Sequence, residues 1–254
     1  MMKFFFFRIG NGHCTYIEFP NGDKGFIDLN RKSPNEGEDP LRIVWDANIR
    51  RIDHLFITHP HRDHITGFKA LFDSITVGYF YFSGVPFRPD PVYDDWVTYE
   101  EKKRTFPNKY QVGAGWNTLV GDVRIDYLLP LYNLLAGTED DVNNNSLLMR
   151  FSYGTTRILI CGDTGEDGWV RVSDADIRNL DLLLASHHGN DSGYYQPKVQ
   201  VMNPKYVVIS AGPGTPHDAD QKYRRYARYD VYTTRIQRVV ATCDQRGSVN
   251  ISAG

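Results

Sequence analysis

The chain has 254 residues, 41% of them hydrophobic and 24% charged, with a net charge of −2. That balance excludes a disordered or fibrous chain, suits one large globular domain, and gives no whole-protein attraction for a polyanion. The three cysteines, Cys14, Cys161 and Cys243, form neither a C-x-x-C pair nor an even disulfide set, which points to a reducing cytoplasm. No stretch approaches the ~18 apolar residues that a membrane span needs.

Residues 4–8 and 15–19 are rich in aromatic and β-branched side chains around a glycine turn, predicting two opening strands. The start, Met1-Met2-Lys3 and then four phenylalanines, superficially has the look of a secretory signal. Arg8 and Gly10 interrupt the apolar run and no small-residue cleavage site follows, so a first strand is expected instead. Asn21-Gly22-Asp23 is a hairpin turn, and residues 24–28 return as a strand ending on Asp28. Residues 31–40 are a polar loop, and 41–49 predict a short helix. Residues 53–57 read as a buried strand, 65–72 as a helix and 75–82 as an aromatic strand.

Residues 83–118 form an aromatic and basic excursion. It holds Pro86, Pro89, Pro91 and Pro107, the run Lys102-Lys103-Arg104, and Trp96, Tyr99, Phe106, Tyr110 and Trp116. Aromatics among basic residues can stack bases while neutralising phosphates. They can equally pack a long surface segment onto the core. Strands follow at 123–129 and 147–153, separated by an acidic, asparagine-rich loop at 137–145. The strand at 157–161 ends on Gly162-Asp163, and that at 180–185 on Ser186-His187-His188, with a helix at 174–179 between them. A strand at 205–210, a basic, tyrosine-rich helix at 220–229 and strands at 238–242 and 248–252 close the chain.

Chemistry concentrates at Thr58-His59-Pro60-His61-Arg62-Asp63-His64, which holds three of the eight histidines. Pro60 forbids a helix interior there, so these side chains leave a strand end on a loop. His59 and His61 can turn one way and Asp63 and His64 another, an arrangement suited to two neighbouring metal ions. A bridging carboxylate would fix their spacing, and Asp163, behind a buried strand and a glycine, is the candidate. One of His187 and His188 would complete the second set; alignment on Ala185-Ser186 favours His187, leaving His188 to orient the shell or touch substrate. Asp63 and His217 are the candidate catalytic groups. His217, after Gly212-Pro213-Gly214-Thr215-Pro216, is placed to protonate a leaving group, bind a phosphate or simply start a helix.

His59, His61, Asp63 and His64 reproduce the H-x-H-x-D-H signature of the metallo-β-lactamase superfamily. Gly10-Asn11-Gly12, Phe26-Ile27-Asp28, Asn144-Asn145-Ser146-Leu147, Ile160-Cys161-Gly162-Asp163, His187-His188-Gly189 and Pro216-His217 follow in order. With residues 242–251 they resemble the hydrolase domain of ComEC-type competence proteins, here without the membrane channel those proteins carry. The resemblance implies an α/β fold, a four-layer αββα sandwich of two mixed sheets with helices outside, spanning residues 1–254. It implies a site at one sheet edge, two divalent ions, zinc or manganese, and an Asp28 that orders the metal loop without ligating. His13 stands where related domains usually place an acid. Most members supply a third histidine where this chain reads Asn143-Asn144-Asn145-Ser146. Asn144, with Asn145 close behind, is the expected replacement, and its harder oxygen favours manganese over zinc.

A two-metal phosphodiesterase or nuclease, cutting nucleic acid or a nucleotide, is the leading expectation. Lys102-Lys103-Arg104 and the Lys222, Arg224, Arg225 and Arg228 helix are its candidate phosphate contacts. A lactone, thioester or β-lactam hydrolase is the alternative enzyme, and a partner-binding module without catalysis the third reading. Nothing in the pattern selects an oligomeric state.

Overall fold

The computed structural model describes residues 1–31, 37–131, 139–213 and 218–254. His217 and parts of the expected loops at 31–40 and 137–145 lie outside the described residues. The first six strands are β1 (Met2–Phe6), β2 (Thr15–Glu18), β3 (Lys24–Ile27), β4 (Arg51–Ile57), β5 (Thr76–Phe82) and β6 (Lys109–Gln111). The next seven are β7 (Asn117–Val120), β8 (Val123–Leu129), β9 (Leu148–Tyr153), β10 (Thr156–Ile160), β11 (Leu182–Leu184), β12 (Tyr206–Ile209) and β13 (Asp230–Thr233). β14 (Val239–Cys243) and β15 (Val249–Ala253) then return to the first group. The sheets run β15-β14-β1-β2-β3-β4-β5-β6 and β13-β12-β11-β10-β9-β8-β7.

The opening phenylalanines show how the layers form. Side chains alternate across a strand, so Phe4 and Phe6 face the second sheet while Phe5 and Phe7 face the helices outside. Both faces are apolar because both are covered, and burial of each fully enclosed ring contributes on the order of 2 kcal/mol. The inter-sheet core joins Met2, Phe4, Phe56 and Tyr81 to Phe151, Ile160 and Leu184. Outside the first sheet lie helices Pro40–Asp46, Phe68–Ser74 and Asp94–Thr105. Outside the second, Gln196–Met202 and Asp220–Arg224 cover Leu159, Leu183 and Val207. This is the expected four-layer sandwich with two mixed sheets.

The excursion at 83–118 contributes a helix, Asp94–Thr105, that its residue pattern does not predict. Its Tyr99 is fully buried beside Phe68 and Phe80, while Trp96 and Phe106 pack at the margin. Those rings serve packing, not base stacking. The helix expected at 65–72 is two short helices, Arg62–Ile65 and Phe68–Ser74, and the one at 220–229 stops at Arg224. The expected loop at 137–145 carries a helix, Glu139–Asn144. Among the described residues no helix is long and apolar enough to cross a membrane.

β3, β4 and β5 run parallel, as do β10, β11, β12 and β13. Ligands of open α/β sheets gather beyond the carboxyl ends of such strands. There the chain places Asp28 after β3, the histidine loop after β4, Asp163 after β10 and the paired histidines after β11.

Candidate metal centre

Asp28 turns the chain out of β3 in the left-handed region, at φ 53°, and is completely buried. Its Oδ1 accepts from the Thr58 N–H at 2.7 Å. Its Oδ2 meets the Thr58 hydroxyl at 2.7 Å, His64 Nδ1 at 2.7 Å and His13 Nδ1 at 3.0 Å. Burial alone would push this carboxyl up, but the charge of His64 and the bonds from His13 and His64 hold it well below the usual range. The ionised carboxylate therefore holds the Nδ1 proton of His64 and aims that ring's Nε2 at Asp163. The carboxylate–imidazole pairing fixes both the tautomer and the ring plane. His13, standing in the position of an acid, is a third partner that tightens the same anchor.

The loop after β4 brings His59 Nε2 and His61 Nδ1 to 3.1 Å. The opening glycine turn packs beneath it. Gly12 sits at φ 122°, and a Cβ there would lie 2.5 Å from the Asp63 carbonyl oxygen, so only glycine lets this backbone so close. His13 N–H donates to that same carbonyl at 3.1 Å. On the other side, Asp163 is 3% exposed, and its N–H donates to Ser146 Oγ at 3.2 Å.

Asp163 is the hub. Its Oδ1 lies 3.3 Å from His64 Nε2; its Oδ2 lies 3.7 Å from His59 Nε2, 3.5 Å from His188 Nε2 and 3.7 Å from His187 Nε2. Asp63 Oδ2 is 3.2 Å from His188 Nε2, and its side chain is 41% exposed, so it faces the mouth. His187 and His188 both adopt left-handed backbone, at φ 50° and 54°. That conformation costs roughly 1–2 kcal/mol for each non-glycine residue, strain of the kind retained at functional sites.

The donor set fits a divalent cation. Ligand atoms of Asp63, His64, Asp163 and His188 all lie within 4.8 Å of one another. His64 and His188 Nε2 approach to 3.3 Å, the spacing of two nitrogens turned to one ion or of one ring donating its N–H to the other. Burial would lower both imidazoles, but Asp163 and its neighbouring carboxylates raise His64 well above its ordinary value and His188 to about 9. His59 goes the other way, since burial and the charge of His64 push it well below its ordinary value and keep its lone pair available.

The structure thus brings His59, His61, Asp63, His64, Asp163, His187 and His188 together. It places His188, rather than the favoured His187, in the compact set with Asp63 and His64. Asn144 is a correction. Its Oδ1 accepts from the N–H groups of Gly165 and Gly168, at 2.9 and 3.1 Å, and so caps the helix Glu166–Trp169 behind Asp163. An oxygen already bonded to two amide protons is not aimed at a cation. The basic stretches are also largely spoken for: Lys102 pairs with Glu101, Lys103 with Glu100, Lys222 with Asp191 and Arg224 with Asp230.

A cavity of about 220 Å³ lies at the ends of β5, β6 and β8, and Phe87, next in sequence to the lining Pro86, places its ring 4.8 Å from the His61 ring. Ser83, Gln111 and Asn145 supply its polar atoms and Val85, Val112 and Leu131 its apolar walls, with no charged side chain among the described lining. Asn145 is buried, and its Oδ1 has no hydrogen-bond partner among the described residues. Sequence reasoning did not find this cavity, because its walls come from β5, β6 and the ends of β8 and the 139–144 helix.

An αββα sandwich with imidazoles and carboxylates gathered at one sheet edge defines a metal-dependent hydrolase class. The family model of the metallo-beta-lactamase superfamily matches residues 36–212, and the chain belongs to that superfamily. It is similar in fold to the metallo-beta-lactamase fold protein YhfI from Bacillus subtilis, at 12% identity and a TM-score of 0.58, covering 92% of this chain and 96% of that one. It is also similar to a new diphosphatase from the PhnP family, at 14% identity and a TM-score of 0.54, covering 100% and 98%. No curated protein matches the sequence.

Proposed function

We propose that the protein is a two-metal phosphodiester hydrolase acting on a nucleotide or nucleic acid, with manganese or zinc as its ions. The carrying observation is Asp163, which four imidazoles surround: His64 at Oδ1, and His59, His187 and His188 at Oδ2. A carboxylate shared in this way suits adjacent cation positions that hold both attacking and leaving oxygens of an in-line displacement. The ComEC-type motif order and the fold similarity to a diphosphatase agree with chemistry at phosphorus.

Divalent ions bound there supply Lewis acidity, which makes hydroxide available from water near neutral pH. His59, His61, His64, His188, Asp63 and Asp163 hold them. Asp28 keeps the His64 Nδ1 proton in place, so Nε2 stays directed at the ions. Asp63, the most exposed carboxylate of the set, is the group that would take up a proton at the mouth of the site. His217 is the residue that the sequence nominates to protonate the leaving oxygen. The neutral cavity that Asn145 lines takes an uncharged part of the substrate. Because Lys102, Lys103, Lys222 and Arg224 are paired with acids, a short ester fits better than a long polyanion, whose binding needs several phosphate contacts.

The test is turnover with manganese or zinc of bis(p-nitrophenyl) phosphate, dinucleotides, single- and double-stranded DNA and RNA, set against a lactone and a thioester. Phosphodiester turnover that is lost in Asp163→Asn is expected. Hydrolysis of the lactone or thioester with every phosphodiester untouched would overturn the proposal in favour of the carbon-centred alternative.

A further inference from the structure

The region where a third imidazole was expected offers none, and Asn144 is engaged elsewhere. The first cation position, at His59 and His61, is therefore one imidazole short. β10 lies between β9 and β11, so Asp163 can be approached from the β11 side as well as from the side of Asn143 to Ser146.

From that side comes His187. Neighbouring side chains of an extended strand point to opposite faces. The two left-handed residues cancel this divergence, so His187 and His188 bring Nε2 to 3.7 and 3.5 Å from the same Asp163 oxygen. Their rings stand at 72° to each other with centroids 6.1 Å apart, which separates the two nitrogens around that oxygen. The backbone is tied in place: His187 N–H and Ser186 Oγ both donate to the Gly162 carbonyl, at 3.1 and 2.9 Å. Gly193 leaves room, since a Cβ on it would come within 2.6 Å of His187 Cβ.

The tautomer is set as well. Ser192 Oγ lies 2.8 Å from His187 Nδ1 and 3.4 Å from Asn190 Oδ1. Asn190 Oδ1 can only accept, so it takes the serine proton and leaves Oγ to accept from His187 Nδ1–H. Nε2 is then the bare nitrogen facing Asp163. A hydrogen bond from the second ring nitrogen is what a metal-ligating histidine ordinarily makes.

We propose that the tandem histidines are divided between the two cation positions. His188 belongs with Asp63 and His64, and His187 supplies the third imidazole to His59 and His61, with Asp163 shared. This rests on the two-metal reading above.

The experiment loads metal-free protein with cobalt(II) and counts bound ions by absorption spectroscopy and calorimetry, with circular dichroism as the folding control. Wild type should bind two ions per chain. His187→Ala should keep one site at wild-type affinity and weaken the other by at least the roughly 10–100-fold that loss of a ligand-orienting partner costs. Ser192→Ala should weaken that same site by a smaller factor, and His188→Ala the opposite one. If His187→Ala misfolds, His187→Gln serves in its place, with the same expectation. Two ions bound at wild-type affinity by a folded His187 variant would overturn the proposal, whether or not activity falls. Wild type that binds no metal would instead sink the two-metal reading itself.

Discussion

Replacing Asp28 with asparagine tests how the centre is built, without touching a proposed ligand. The side chain keeps its shape but offers one acceptor oxygen in place of two, against four donors. The Thr58 N–H is backbone and cannot turn, so the amide oxygen must stay with it. The new NH2 then faces the Thr58 hydroxyl, His13 and His64. A hydroxyl can rotate and His13 can change tautomer. His64 can accept on Nδ1 only by moving its proton to Nε2, the atom that faces Asp163 at 3.3 Å. Hydrogen bonds to a buried charge are worth about 1.5–3 kcal/mol each, and breaking a buried charge pair costs about 3–5 kcal/mol. The expected loss is therefore about 3 kcal/mol of stability without metal, together with a 10–100-fold loss of metal affinity, or about 1.4–2.7 kcal/mol. Urea unfolding of metal-free protein and competition against a chelator read the two separately. Metal affinity equal to wild type in the folded variant would refute the tautomer reasoning, whatever happened to stability.

Asn144→Ala removes a helix cap, so it should cost about 1–2 kcal/mol while the bound-metal count stays at the wild-type value; loss of an ion with stability unchanged would make Asn144 a ligand after all. Gly12→Ala places a Cβ against the Asp63 carbonyl and should lower both Tm and metal affinity, and a wild-type melting curve would contradict the close packing seen there. His54 is held below its ordinary value of 6.5 because burial among Phe56, Tyr79 and Tyr81 outweighs its bond to Asp23. Its folded pKa is depressed, so the stability it supports is present above pH 6.5 and lost as pH falls through the folded value. His54→Phe should flatten the fall in stability between about pH 7 and 5, and an unchanged acid limb would exclude His54 as a contributor.

Much of the centre was legible because its chemistry is local in sequence. His59, His61, Asp63 and His64 fall on one loop, and Pro60 with the preceding apolar run placed that loop at a strand end. Asp163 and His187-His188 each follow a short buried strand, but it is the histidine loop elsewhere in the chain that turns them from strand-end residues into candidates. The layers followed from period: strands such as β1, apolar on both faces, have to be covered on both. Other features were beyond reach of pattern. The pattern favours packing over stacking for the aromatics at 83–118, but only the fold puts Phe68 and Phe80 around Tyr99. Asn144 differs from a ligand only in where its oxygen points, which the N–H groups of Gly165 and Gly168 decide. The division between His187 and His188 depends on two left-handed residues, a conformation that no side-chain type there announces. Residue order along the chain specifies which donors exist and which strand tips carry them. Their directions are set by contacts between segments far apart in sequence, and a metal centre is defined by direction.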